Sequence, residues 1–181
     1  MGKKIVMITG SPRKGGNSAV MADAFIAAAK AKGHDVTRFD AAMMKLDGCR
    51  ACETCFKTGK ACSFDDDFNK IAPYIEKADA VVFAAPVYWY TFPAQIKCVI
   101  DKLYSFCVAE RDIAGKKTAL ITCCEEDDMS VLDGVRIPYE RSIALLGWEN
   151  AGEVLVPGVL KIGDIEKTDG AARAAALADA I

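Results

Sequence analysis

The sequence predicts a doubly wound α/β fold, a parallel sheet with helices on both faces. Three observations predict it. Short apolar, β-branched runs at residues 4–9, 79–85 and 117–123 read as strands buried on both sides, with longer helix-like stretches between them. A glycine-bearing elbow, GSPRKGGNS at residues 10–18, joins the first run directly to a helix. The chain has 181 residues and is 52% hydrophobic, so residues 1–181 are expected to form one domain with a full-sized core.

The elements follow in order. Lys4–Thr9 is the first strand, ending at a glycine, and 19–32 is an alanine-rich helix stopped by Gly33. Asp35–Asp40 is the second strand, with Val36 and Phe39 as its apolar positions. The pattern then breaks over a cysteine-rich insertion at about 41–64. Asp65, Asp66 and Asp67 precede Phe68, a helix start by capping and by the helix dipole, and the helix runs to about Lys77. Residues 79–85 form the third strand and 86–93 an aromatic loop. In the helix at 94–104, Ile96, Val99, Ile100 and Leu103 share one face. Lys117–Cys123 is the fourth strand. A helix at 131–146 carries Pro138, expected to kink or break it, 153–156 is the fifth strand, and 171–181 is a closing helix. Five such units favour strand order 2-1-3-4-5, the flavodoxin-like three-layer sandwich. Its ligands bind at the carboxyl ends of the strands, at the switch point between strands 1 and 3.

The elbow after strand 1 stands at that switch point. A strand turning through glycines into a helix N-terminus presents main-chain N–H groups and the positive end of the dipole to an anion. Ser11, Arg13, Lys14, Asn17 and Ser18 add hydroxyls, an amide and cations suited to a phosphate monoester. A Walker A loop needs lysine where Gly16 stands, and a GxGxxG turn needs glycine where Pro12 stands, so neither applies. The loop after strand 3, PVYWYTFP at 86–93, must face the same ligand. Its consecutive aromatic rings suit a flat, phosphorylated heterocycle such as FMN, although loop or interface packing is the ordinary use of such rings.

Together, SPRKGGNS and APVYWYTFPAQIKCVIDK resemble the corresponding loops of the flavodoxin-like NAD(P)H-dependent FMN reductases, over roughly residues 4–105. The resemblance implies that Ser11, Arg13, Asn17 and Ser18 bind the FMN phosphate. It places Pro86, Val87, Tyr88 and Trp89 along the isoalloxazine, with NAD(P)H as electron donor and a homodimer or homotetramer as the assembly. After strand 4 the chain departs from the pattern: Thr122, Cys123, Cys124 and Glu125 stand where family members often carry small residues and glycine.

Of eight cysteines, four are spaced C-x2-C-x2-C-x6-C: Cys49, Cys52, Cys55 and Cys62. In a reducing compartment such a run reads as metal ligands or redox thiols before disulfides. An iron–sulfur cluster, redox-active thiols and zinc all remain open on spacing alone. The run resembles that of iron–sulfur flavoproteins, a branch of the same family. That implies one [4Fe-4S] cluster closed by Cys62, and an alternative role as a one-electron carrier fed by a ferredoxin-like donor. Cys98, Cys107, Cys123 and Cys124 read as packing residues.

Other classes have little support. A net charge of −2 without a basic stripe argues against nucleic acid, and no apolar run approaches a membrane span or a signal peptide, so a cytoplasmic location is expected. His34, the only histidine, reads as a solvated turn residue, which leaves nucleophile–histidine schemes nothing to build on. Hydride transfer to a flavin requires no side-chain acid or base, and none is expected. The acidic run 125–128 reads as a solvated loop and helix cap.

Overall fold

A computed structural model describes residues 2–181. Five parallel strands, β1 (Lys4–Thr9), β2 (Asp35–Asp40), β3 (Ala80–Pro86), β4 (Lys117–Cys123) and β5 (Glu149–Val156), form one sheet in the order β2-β1-β3-β4-β5. The helices are α1 (Asn17–Ala31), α2 (Phe68–Lys77), α3 (Ala94–Lys102), α4 (Tyr104–Val108), α5 (Asp133–Leu146) and α6 (Gly170–Ala176). This is the flavodoxin-like arrangement.

Alternation along the strands splits the core in two. Val6, Ile8, Phe83 and Leu120 pack toward α2, α3 and α5, whereas Ile5, Met7, Val82 and Ile121 pack toward α1 and α6. Because both faces are covered, β1 and β3 are almost wholly buried, which is why their sequences are unbroken apolar runs.

Several boundaries differ from expectation for physical reasons. β5 begins at Glu149, not 153. Its first residues are polar and its pairing with β4 is irregular at Thr118/Ala119, so no apolar alternation marks the start. The helix expected over 94–104 ends at Lys102, and a separate α4 follows. The helix expected from 131 begins as a 3-10 turn, Met129–Leu132, capped by Asp128, whose carboxylate accepts from Ser130 N at 2.8 Å. The closing helix shortens to Gly170–Ala176 plus a 3-10 turn, Leu177–Asp179.

His34 lies partly exposed in the turn before β2, where its Nδ1 accepts from Lys3 N at 3.0 Å. Pro138 does not break α5. Proline has no N–H to give the carbonyl four residues back, which here is Gly134 O. Thr91 Oγ1 donates to that carbonyl instead, at 3.0 Å. Among the described residues no helix is long and apolar enough to cross a membrane.

Candidate functional site

The elbow is shaped by close approach. Gly10 N donates to Ala84 O at 2.9 Å, and a Cβ on Gly10 would stand 3.0 Å from the Ala85 side chain and 3.1 Å from Ile96. The turn then doubles back, with Gly15 at φ +67 and Gly16 N donating to Arg13 O at 3.0 Å. Gly16 caps α1 without a side-chain bond, and Val20 N is bonded to Gly16 O. The N–H groups of residues 17–19 therefore point out of the helix end. Ser18 is 2% exposed, yet its Oγ has no hydrogen-bond partner. A buried, unpartnered hydroxyl beside a helix N-terminus is a group awaiting an acceptor.

Opposite the elbow, β3 runs out through Pro86, and Val87 N extends the ladder to Cys123 O at 2.8 Å. Tyr88 and Thr91 then close a tight turn by exchanging main-chain bonds of 2.9 and 3.0 Å. Its central residues, Trp89 and Tyr90, both have positive φ, +48 and +64. Left-handed backbone at bulky aromatics costs about 1–3 kcal/mol each and persists only where the surroundings fix it. Here α5 fixes it. Gly134 approaches so closely that a Cβ would sit 1.6 Å from Tyr90 O, and the Gly134 carbonyl freed by Pro138 takes the Thr91 hydroxyl. The Trp89 ring, held this way, is 94% exposed at the mouth of the cleft.

Between the two loops lies a cleft of about 400 Å³, within the usual range for small-molecule sites. It brings together Ser11, Arg13, Asn17 and Ser18 from the elbow and Pro86, Val87, Tyr88 and Trp89 from the aromatic turn. It also includes Gly16 of the elbow and two residues that sequence reasoning missed, Val159 and Leu160, while Cys123, Cys124 and Glu125 complete the wall. The segment after β5 closes one side. Arg13 Nη1 donates to Leu160 O at 3.1 Å. Asn17 is committed at both ends of its amide, Nδ2 donating to Lys161 O at 3.0 Å and Oδ1 accepting from Ile165 N at 3.2 Å. What Asn17 offers the cleft is its main-chain N–H. The signal for this clasp was Asp164 and the glycines at 158 and 163, a turn whose Asp164 carboxylate accepts from Lys161 N at 2.7 Å.

Burial acts on two cysteines in the wall. Burial, then the neighbouring Cys124, pushes the Cys123 thiol up to about 12, against the pull of the Ser18 N–H toward the thiolate. Burial, then Glu126, raises Cys124 as well. Both are neutral thiols near neutral pH.

Cys49, Cys52, Cys55 and Cys62 line a second pocket, between the 47–64 segment and the α3–α4 junction. Left-handed residues at Ala51, Glu53 and Phe56 curl the loop around the thiols. Among the described residues no three metal-ligating side chains converge on the position of a single ion. Four thiols lining one pocket are the donor set that a multi-iron cluster would take. The space they line is about 30 Å³, with Cys49 and Cys52 exposed and Cys55 and Cys62 half-buried. The loop is anchored at its ends: Cys62 N donates to Asn69 Oδ1 at 2.7 Å, and Asp47 N donates to Asp66 Oδ2 at 2.9 Å. Of the three acidic residues expected to cap α2, Asp66 alone bonds Phe68 N, at 2.8 Å, and Asp67 turns to Lys45 N.

Residues 3–132 match the sequence model of the family described as NADPH-dependent FMN reductase. An iron-sulfur flavoprotein of Archaeoglobus fulgidus is 36% identical over 103 residues, covering 57% of this chain and 46% of that protein. An iron-sulfur flavoprotein of Methanosarcina thermophila is 35% identical over 99 residues, 55% of this chain and 51% of that protein. The matches thus span about half the length of these curated relatives. Among solved structures, an azoreductase from Bacillus anthracis superposes with a TM-score of 0.77 at 20% identity, covering 99% of this chain and 100% of that one. An NAD(P)H:quinone oxidoreductase from Methanothermobacter marburgensis gives 0.72 at 19% identity, covering 98% and 95%. At these identities the likeness shows the fold.

Proposed function

This chain belongs to the NADPH-dependent FMN reductase family, and from that premise we propose that it is an FMN-dependent oxidoreductase drawing electrons from NAD(P)H. The observation that carries the reading is the cleft, which sets an anion-binding elbow and an aromatic turn face to face across about 400 Å³.

When bound, FMN supplies the chemistry: it accepts two electrons as a hydride and can release them one at a time. The chain's part is to bind, orient and shield. Ser11, the Ser18 hydroxyl, the Arg13 guanidinium and the free N–H groups of α1 take the phosphate end. Pro86, Val87, Tyr88 and Trp89 lie along the ring system, where main-chain groups meet its polar edge. Hydride transfer to a flavin needs no side-chain acid or base, and this reading assigns none. It takes residues 1–181 as one domain, in the cytoplasm, assembled as a homodimer or homotetramer.

A second reading rests on a separate observation, the four thiols lining one pocket in a chain whose curated relatives are named iron-sulfur flavoproteins. In it Cys49, Cys52, Cys55 and Cys62 hold one [4Fe-4S] cluster, which carries single electrons, and a ferredoxin-like protein is the donor. One experiment separates the two. Protein purified without oxygen is mixed with NADPH or NADH, then with reduced ferredoxin, while flavin absorbance is followed. Bleaching by a nicotinamide is the expected result. Bleaching by ferredoxin alone moves the assignment to the carrier, and a colourless protein that takes up no FMN removes both.

A further inference from the structure

The inner wall of the cysteine pocket holds a polar group that the fold leaves unused. Ser105, in α4, is 3% exposed and lines the pocket together with the four thiols. Its Oγ is buried without a hydrogen-bond partner. Serine in a helix usually returns its hydroxyl to the carbonyl of the preceding turn; Ser105 does not. A buried hydroxyl left unpaired costs about 1–3 kcal/mol, and alanine would avoid that cost.

Three residues earlier on the same face, Lys102 is also buried, at 4% exposure. Its ammonium donates to the Asp66 carboxylate and to the carbonyl of Asp47, two residues before Cys49. Lys102 thus clamps the entry of the loop onto α3. The adjacent Asp66 charge cancels most of its field, so positioning is its contribution. Arg50, Glu53 and Tyr104 also line this pocket, but none is buried as Ser105 is.

We propose that Ser105 Oγ–H donates to a sulfur of the four-cysteine centre and raises its reduction potential, an inference that rests on the cluster reading above. Reduction adds negative charge to the cluster and its thiolates. A donor fixed against sulfur stabilises the reduced form more than the oxidised one. The buried position keeps water from taking its place.

The test compares wild type, Ser105→Ala and Ser105→Thr, purified anaerobically with iron and acid-labile sulfide measured. Cluster midpoints come from EPR-monitored titration and flavin midpoints from absorbance. At full iron content, Ser105→Ala shifts the cluster midpoint to more negative potential, Ser105→Thr stays near wild type, and the flavin midpoint moves in neither. With the metal removed, Ser105→Ala melts no lower than wild type, because it loses only an unsatisfied hydroxyl. Should the alanine variant fail to load iron while the threonine variant loads it, the donor is still identified. An iron-replete alanine variant with an unmoved midpoint, or a threonine variant shifted as far as alanine, overturns the inference and leaves the cluster reading standing. Wild-type protein without iron and sulfide overturns both.

Discussion

Asp66→Ala is expected to lower stability by about 3–5 kcal/mol, the usual result of stripping one partner from a buried ion pair. The carboxylate accepts from Lys102, from Asp47 N at 2.9 Å and from Phe68 N at 2.8 Å. Removing it leaves a buried ammonium without its counter-charge, holding only the Asp47 carbonyl, strips two main-chain N–H groups of their acceptor, and loosens the start of the cysteine loop. Chemical denaturation of the variant measures the loss. Lys102→Met with Asp66→Leu should recover part of it, because an uncharged pair leaves no ion stranded. A single variant within about 1 kcal/mol of wild type would show that the pair is solvated.

Gly134→Ala is expected to strike the cleft from the far side of the aromatic turn. The added Cβ would lie 1.6 Å from Tyr90 O, a contact that must open to at least 3.0 Å. The rigid partner is α5, so the strained turn moves. Overpacking of this kind costs about 1–3 kcal/mol. The larger effect is on function, since a displacement near 1 Å in a positioning group can cost on the order of 100-fold in rate. Pro138→Ala should act in the same direction and more mildly, because its new N–H competes with Thr91 Oγ1 for Gly134 O. Stopped-flow reduction of the flavin-loaded variants by NADPH measures this. Unchanged rates in Gly134→Ala would mean that the turn does not orient the flavin.

Much of the fold was legible because its strands are buried on both faces and so read as apolar runs, and because glycine and proline punctuate the two loops at the switch point. The cysteine run was equally plain from spacing. What escaped depends on contacts between distant segments. The closeness of Gly134 to Tyr90 joins positions 44 residues apart, and nothing near Gly134 in sequence marks it. Asn17 read as a ligand group from its place in the elbow, yet tertiary structure spends its amide on the segment after β5. Lys102 carried a readable hint, lying one turn beyond Val99 on an apolar face, but its partner is set by how 65–67 folds against 45–47. The edge strand β5 hid its first half behind Glu149, Asn150 and Gly152.

The central claim is that the elbow grips the phosphate of FMN. Equilibrium binding of FMN and of riboflavin, which lacks the phosphate, to wild-type and Arg13→Ala protein tests it most directly. The account predicts that wild type prefers FMN. Arg13→Ala should weaken FMN about tenfold to a hundredfold, as expected for losing one charge-assisted bond, and leave riboflavin unchanged. Equal affinity of wild type for the two flavins, or an equal loss of both in the variant, would contradict it.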